Sequence, residues 1–129
     1  MQQQMCVRCG RLMTPRKNWE RQATPVKYCS KRCRHLRLRP IDKQLESVTI
    51  ALLAKRSIAS SVCPSEVARL VRPDSWQQIM ESTRMAARRL MALGQVEITQ
   101  GGRVVDPSTA KGPIRIRRSA TFDPSYVAD

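Results

Sequence analysis

Four cysteines near the N-terminus are spaced as two pairs of metal ligands. Cys6 and Cys9 are separated by two residues, and after nineteen further residues Cys29 and Cys33 are separated by three. Four soft thiolates are the donor set of a closed, tetrahedral structural zinc site. The spacing therefore predicts one structural Zn²⁺ per chain, with these four cysteines as its ligands.

The residues around the cysteines predict how a finger would present them. Gly10 directly follows the first pair and suits the tight turn of a knuckle, in which backbone N–H groups point at sulfur. The second pair is one helical turn apart, so both of its sulfurs project from one side of a helix that starts near Cys29. We expect a treble-clef-like or ribbon-like finger with a knuckle, a hairpin through residues 11–28 and this helix.

A redox or iron–sulfur role is the alternative for these thiols, because neighbouring Lys and Arg side chains lower thiol pKa values. The first pair is not embedded in a β–α–β pattern, however, and the second pair has three intervening residues rather than two. The segment is also too poor in apolar residues to fold without a metal. We interpret His35 as a surface or helix-end residue with metal ligation as its alternative. We interpret Trp19 as a core residue with base stacking as its alternative.

The charge of the chain indicates a polyanionic partner. There are 24 Lys and Arg against 10 Asp and Glu, a formal charge of +14, and residues 1–41 hold eleven of these cations with Glu20 as their single acid. No apolar run approaches the roughly 18 to 20 residues of a membrane span, and the N-terminus lacks the apolar core of a secretory signal. We therefore expect a cytoplasmic protein without a membrane partner, whose reduced thiols bind metal rather than form disulfides.

The second part of the chain begins with three helical patterns. Asp42 is the predicted N-cap of a first helix, and Ser65 is the predicted N-cap of a short second helix. Ser75 would cap a long third helix that ends at Gly94, a residue suited to the left-handed conformation just past a helix. Three helices followed by a hairpin is the element order of a winged helix.

The hairpin is predicted from Gly101 and Gly102, because two glycines supply the positive φ angles of a two-residue turn and place Ile98 opposite Val105. A third extended piece, GPIRIRR, follows at residues 112–118. The predicted fold class is thus mainly α with a small β-hairpin wing, a winged helix-turn-helix, joined to the four-cysteine finger. The predicted domains are the finger at 1–38, the winged-helix-like domain at 39–118 and a C-terminal tail at 119–129.

The third helix and the extended pieces offer polar side chains to a nucleic acid. The outer side of the helix would present Gln77, Gln78, Arg84 and Arg88, with Arg89 as a further candidate, and such side chains bond base edges or phosphates. A solvated surface is the alternative interpretation. The full set of predicted nucleic-acid contacts is Arg16, Lys17, Lys27, Lys31, Arg32, Arg34, Gln77, Gln78, Arg84, Arg88, Arg103, Arg115 and Arg117.

The N-terminal residues resemble a known family. CVRCGRLMTPRKNWE followed by VKYCSKRCR is similar to a short bacterial zinc-finger family of unknown function, whose pattern runs CxxCGRxxxxRKxW and then YCSxRCR. This chain has Pro15 and RQAT where that family carries additional tryptophans, which weakens the case for base stacking. Besides the four cysteines, the matching residues are Arg16, Lys17, Trp19, Tyr28, Ser30, Arg32 and Arg34.

The C-terminal residues resemble a second bacterial family, also of unknown function, that is winged-helix-like and carries PSEVAR, a downstream Trp and GPIR. In this chain the three motifs are Pro64–Arg69, Trp76 and Gly112–Arg115, and the resemblance covers residues 42–118. The two families are similar to ones found fused in this order. The resemblance implies a fold and no biochemical activity.

These features predict a small, basic, zinc-containing nucleic-acid-binding protein, a DNA-associated regulator or accessory factor, with DNA favoured over RNA. The alternative is a protein-interaction adaptor, in which the winged helix packs on a protein and the finger docks on an acidic partner or RNA. We expect neither enzymatic activity nor a small-molecule substrate, because one histidine and a zinc ion saturated by thiolates leave no open metal position. Cys63 is interpreted as a small, buried apolar residue before a helix, with a reactive thiol as the alternative.

Overall fold

The described residues of the N-terminal finger form three short elements around the cysteines. The computed structural model describes residues 4–13, 27–107 and 109–127. Strands β1 (Gln4–Met5) and β2 (Leu12–Met13) pair antiparallel and flank the turn that carries the first cysteine pair. Helix α1 (Lys31–Leu36) carries the last cysteine. The predicted hairpin through residues 11–28 falls mostly on residues 14–26, which lie outside the described residues.

The second part of the chain combines three helices with a small sheet. A 3₁₀ turn at Trp76–Ile79 precedes the last helix, so the predicted third helix is divided in two. No helix in the described ranges is long and apolar enough to cross a membrane. The elements are α2 (Pro40–Lys55), β3 (Ser61–Val62), α3 (Pro64–Val71), α4 (Met80–Ala92), β4 (Val96–Gln100), β5 (Arg103–Val104) and β6 (Arg115–Arg118).

Two of the predicted helix starts were wrong, the first by three residues and the second by two. Helix α2 begins at Pro40 rather than after Asp42, and the Asp42 carboxylate accepts a hydrogen bond from the backbone N–H of Arg39 at 2.8 Å. Helix α3 begins at Pro64, with Cys63 rather than Ser65 as its N-cap. Proline is well suited to the first position of a helix, where no N–H donor is needed, so each helix extends to the proline before the predicted cap.

The end of α4 is as predicted. Gly94 has φ of +79°, and its N–H donates to the carbonyl of Met91 while the N–H of Gln95 donates to the carbonyl of Leu90. These two bonds form a Schellman motif, which satisfies the last carbonyls of the helix. The glycine therefore turns the chain directly from α4 into β4.

The sheet is larger than the predicted hairpin. Its four antiparallel strands lie in the order β3-β6-β4-β5. The glycine turn was predicted correctly: Gly101 and Gly102 both have positive φ, and the N–H of Val105 donates to the carbonyl of Ile98 at 2.9 Å. The third extended piece becomes β6, which pairs with β3 on one side and β4 on the other. The described fold is thus a mixture of helices and a small antiparallel sheet.

One apolar core joins α2, α3, α4 and the sheet, and the C-terminal tail covers part of it. Phe122 and Tyr126 of the tail pack against this core. The carbonyl of Gly94 accepts hydrogen bonds from the hydroxyls of Ser119 and Thr121, so the tail is attached to the turn between α4 and β4. The fully enclosed apolar core residues are Leu45, Leu53, Val62, Val67, Ala68, Ala86, Ala87, Leu90, Ile98 and Ile116.

Candidate metal centre and its attachment to the helical domain

The four predicted ligands converge in space. All four sulfur atoms lie within 4.8 Å of one another. The Cys9 and Cys29 sulfurs are 3.5 Å apart, and those of Cys29 and Cys33 are 3.7 Å apart. Zn–S bonds of about 2.3 Å in a tetrahedron require sulfur atoms about 3.8 Å apart. The cluster therefore has the donor set and close to the spacing that a tetrahedral metal ion needs.

The knuckle backbone fixes the first two ligands. The N–H of Cys6 donates to the carbonyl of Arg11 at 2.8 Å, and the N–H of Gly10 donates to the carbonyl of Cys6 at 3.0 Å. The N–H of Val7 donates to the carbonyl of Lys27 at 2.9 Å, which holds the knuckle beside the chain entering the second cysteine pair. Gly10 has φ of +76°, which favours glycine at this turn.

The second pair is fixed by the start of α1. The Ser30 hydroxyl oxygen accepts a hydrogen bond from the backbone N–H of Cys33 at 3.2 Å and so caps the helix. Cys29 lies just before the helix and is the most accessible of the four cysteines, whereas Cys33 lies inside it and is buried. The helix cap therefore sets the direction of both sulfurs toward the knuckle.

The thiol pKa values of Cys6, Cys9 and Cys29 are not all shifted in the same direction. Burial raises the pKa of the Cys6 thiol, but hydrogen bonds from backbone N–H groups, that of Cys9 foremost, outweigh it and lower the pKa to about 7. Burial raises the pKa of Cys9 to about 12, and burial raises that of Cys29 as well. Four thiolates this close repel one another, so a cation is required for all of them to be deprotonated. The donor set fits a soft divalent metal ion, and the residues that would hold it are those four cysteines.

The knuckle lies directly on helix α4. A Cβ atom added to Gly10 would lie 2.4 Å from the backbone nitrogen of Arg89, so only glycine permits this approach. The Arg88 guanidinium donates from Nε to the carbonyl of Cys9 at 2.8 Å and from Nη2 to Glu81 at 3.2 Å. Met85 packs against the cysteine cluster. The finger thus covers the C-terminal half of the face of α4 that was predicted to be open.

Arg89 is the central residue of this attachment. Its side chain is 2% exposed, and its Nε donates to Glu46 of α2 at 2.8 Å. Nη2 donates to the carbonyl of Asp42 at 3.0 Å, and Nη1 donates to the carbonyl of Arg8 in the knuckle. Glu46 also accepts from the Tyr126 hydroxyl at 3.1 Å. One buried ion pair therefore joins the finger, two helices and the tail.

The prediction that placed Arg89 on the outer side of the helix was wrong. A signal for the pair was present in α2, where Glu46 precedes the buried Ile50 and Leu53 by four and seven residues. That spacing places the carboxylate on the apolar face. A buried carboxylate requires a cationic partner, and only the packing of α2 on α4 identifies it as Arg89.

The other predicted nucleic-acid contacts fall into distinct groups. Arg115 is exposed but donates to the Ser61 hydroxyl at 2.6 Å, and Arg117 pairs with Glu97 at 3.1 Å. Arg84 is half-buried on α4. Arg16 and Lys17 lie outside the described residues. The remaining predicted contacts are exposed, and they are Lys27, Lys31, Arg32, Arg34, Gln77, Gln78 and Arg103.

Arg118 belongs to the same arginine-rich strip as Arg115 and Arg117, which was predicted to meet phosphates, but its side chain is used within the fold. It donates to the carbonyls of Leu53, Ala54 and Arg56 at 2.7 to 3.2 Å, and its guanidinium lies 4.9 Å from the centre of the Phe122 ring. These carbonyls end helix α2 and need donors from elsewhere. Arg118 therefore serves the fold, and no local sequence pattern indicates this use.

The fold and the site define a class of protein in which a four-cysteine finger is attached to a domain of helices and a small sheet. Residues 42–119 match the model of a family described as "Protein of unknown function (DUF3253)", and the chain belongs to this family. Residues 1–36 match the model described as "Uncharacterized protein conserved in bacteria (DUF2256)". The predicted tandem of two uncharacterised bacterial families is thereby confirmed. A comparison with curated proteins gives no match.

Proposed function

We propose that this protein is a zinc-containing nucleic-acid-binding protein whose finger supplies the main phosphate-binding surface. The observation that carries the proposal is a group of four exposed cations at and before α1: Lys27, Lys31, Arg32 and Arg34. Within the described ranges none of them forms an ion pair. Clustered, unneutralised cations are what a phosphate backbone binds.

Several arginines of the second part of the chain are neutralised by carboxylates within the fold. Arg56, Arg88, Arg89 and Arg117 each pair with a carboxylate. Their charge is therefore largely neutralised within the fold, and a polyanion would have to compete with an existing partner for each of them. This contrast supports the finger, rather than the helical domain, as the source of electrostatic affinity.

The proposed metal is zinc with a structural role. Four thiolates in a closed tetrahedron leave no coordination position for water or substrate, so the ion would hold the finger in shape rather than activate a reactant. The cysteines orient α1 against the knuckle, and α1 presents the cations to solvent. On this basis we propose a binding role and no catalytic one.

The second part is proposed to be a winged-helix domain that positions the finger on DNA. Its order of helix, short strand, two helices and hairpin agrees with that fold. The finger covers α4 around Arg88, which leaves the N-terminal side of the helix for contact through Gln77, Gln78 and Arg84. Arg103 near the hairpin turn would meet the phosphate backbone. DNA is favoured over RNA as the target.

The test is fluorescence anisotropy of zinc-loaded protein on random duplex DNA, single-stranded DNA and structured RNA over a salt series. A triple variant, Lys31→Gln, Arg32→Gln and Arg34→Gln, should weaken binding and reduce the log–log salt slope by about one for each phosphate that is no longer bound. The matched control removes three exposed cations elsewhere, by Lys55→Gln, Arg72→Gln and Lys111→Gln. Equal weakening of binding by both triple variants would show that net charge alone explains the effect, and it would contradict the proposal.

Weak binding of the wild-type protein to all three nucleic acids at physiological salt would favour the adaptor instead. One observation favours this second function: the finger covers Arg88. This side chain of α4 was a candidate for base contact, and it is now occupied by the finger. In that case the helical domain would bind a protein and the finger an acidic surface. Zinc content is measured in parallel, and Cys29→Ser should abolish the expected one ion per chain.

A further inference from the structure

Arg8 is a buried cation in the middle of the knuckle. It lies between the two ligands of the first pair, and the residue is only 5% exposed. Its Nη1 atom lies 3.5 Å from the sulfur of Cys33, which belongs to the other pair, and its Nε is buried without a hydrogen-bond partner. The guanidinium is therefore directed at the metal-binding cluster rather than at solvent.

A comparison with Arg89 identifies what Arg8 lacks. Both arginines are buried, but Arg89 has the Glu46 carboxylate 2.8 Å away. In the described part of the chain, no carboxylate forms an ion pair with Arg8. A buried charge without a counter-charge is strongly unfavourable, so the negative charge that balances Arg8 has to be found among its other neighbours.

The cysteine cluster carries its full negative charge only when it holds a metal. Four neutral thiols carry no charge, whereas four thiolates around a divalent ion carry a net charge of about −2. A hydrogen bond from a guanidinium to a thiolate is charge-assisted and stronger than one to a thiol. The position of Arg8 beside Cys33 thus matches the metal-loaded form of the cluster.

We propose that Arg8 is the counter-cation of the metal–tetrathiolate cluster and a positioning residue for Cys33. Its backbone is held for this task, since the carbonyl of Arg8 accepts a hydrogen bond from Arg89. The side chain balances part of the cluster charge and donates to a thiolate that α1 brings into the finger. This inference rests on the metal site of the proposed function and is independent of nucleic-acid binding.

The experiment compares the zinc affinity of full-length Arg8→Gln, Arg8→Lys and wild-type protein by competition with a chromogenic chelator. Loss of an outer-shell partner usually weakens metal binding 10- to 100-fold, and we expect about this loss for Arg8→Gln. Arg8→Lys keeps the charge and should lose clearly less affinity. Arg11→Gln removes an exposed cation next to the same knuckle and is the matched control, with affinity expected within about threefold of wild type.

Several results would overturn the inference. If Arg8→Gln binds zinc with wild-type affinity, the Arg8 side chain has no role in metal binding. If Arg8→Lys binds zinc as weakly as Arg8→Gln, the charge of the side chain has no role. Glu20 lies outside the described residues, so Glu20→Gln is included, and a loss equal to that of Arg8→Gln would make Glu20 the balancing group. If Arg8→Gln does not fold, Arg8→Lys decides alone: affinity within about tenfold of wild type supports the inference and a larger loss contradicts it.

The failure of the metal assignment is distinguishable from failure of this inference. Wild-type protein that binds no zinc contradicts the metal part of the proposed function before any variant is compared. Wild-type protein that binds one zinc ion, together with equal affinities for all variants, contradicts only the role of Arg8. Replacement of zinc by Co²⁺ gives a second readout. The visible absorption bands of a tetrahedral cobalt–thiolate site should be retained in Arg8→Lys.

Discussion

Arg88 donates a hydrogen bond from Nε to the backbone carbonyl of Cys9 at 2.8 Å, which joins the middle of α4 to a residue 79 positions earlier in the chain. Cys9 is also a member of the four-sulfur cluster. The attachment of the finger to the helical domain therefore acts directly on the backbone of a candidate metal ligand. Loss of the metal and detachment of the finger are expected to favour each other.

Arg88→Met tests this connection without altering a cysteine. A hydrogen bond from a charged donor contributes about 1.5–3 kcal/mol, so its loss should loosen the knuckle on α4. Faster hydrogen exchange is expected at the N–H groups of Cys6 and Gly10, which donate within the knuckle. Arg84→Met, on the same helix, is the control. Unchanged exchange in Arg88→Met would show that the contact does not hold the finger.

Gly10→Ala tests the close approach itself. The new Cβ would lie 2.4 Å from the Arg89 nitrogen, and the residue would also be strained at its positive φ. Gly101→Ala, with φ of +56° and nothing near its Cβ, carries the conformational strain of about 1–2 kcal/mol alone. We expect Gly10→Ala to release zinc at a distinctly lower temperature, whereas Gly101→Ala leaves zinc release unchanged. Similar release temperatures in the two variants would contradict this.

Local patterns predicted the parts of the molecule that depend on neighbouring residues. The four cysteines, the Gly101–Gly102 turn and the Gly94 cap each follow from short spacings or from backbone conformations that only certain residues adopt. Helix starts were shifted because a proline at the first position competed with the predicted caps. Strand β3 was missed because two residues are too few to show an alternating pattern.

The attachment of the finger could not be predicted, since it depends on partners far apart in the chain. Arg88 and Arg89 are adjacent in sequence, and helical periodicity alone places both near the polar side of α4. One donates to the knuckle and the other is buried against Glu46. The partner of each arginine could be solvent, nucleic acid or another part of the protein. It is determined by the packing of α2 and the finger on α4.

The Arg89–Glu46 pair leads to a stability prediction. Arg89→Met leaves a buried carboxylate without its cation, and breaking such a pair typically costs about 3–5 kcal/mol. The double variant Arg89→Met with Glu46→Leu removes both charges and should be less destabilised than the sum of the single variants. Urea unfolding of all four proteins measures this coupling. Strict additivity would mean that the two side chains do not interact.

The pH dependence of stability is expected to involve Glu66 at the start of α3. The Arg56 guanidinium, 2.6 Å away, lowers the pKa of this carboxyl, and the N–H of Cys63 donates to it at 2.7 Å. Because the folded pKa lies below the usual value of about 4.3, the stabilisation is complete above that value. It is lost as the pH falls through the lowered folded pKa.

Glu66→Gln should therefore be less stable than wild type at neutral pH, and the difference should shrink on acidification. The glutamine can still accept from the Cys63 N–H as part of the helix cap, but it cannot pair ionically with Arg56. Urea unfolding between about pH 7 and pH 3 measures the difference, with Glu97→Gln as a control for a carboxylate whose pair with Arg117 lies on the sheet. Because both variants are compared with wild type at each pH, acid effects on the cysteine cluster cancel. A Glu66→Gln difference that stays constant across this range would mean that the ion pair with Arg56 does not stabilise α3.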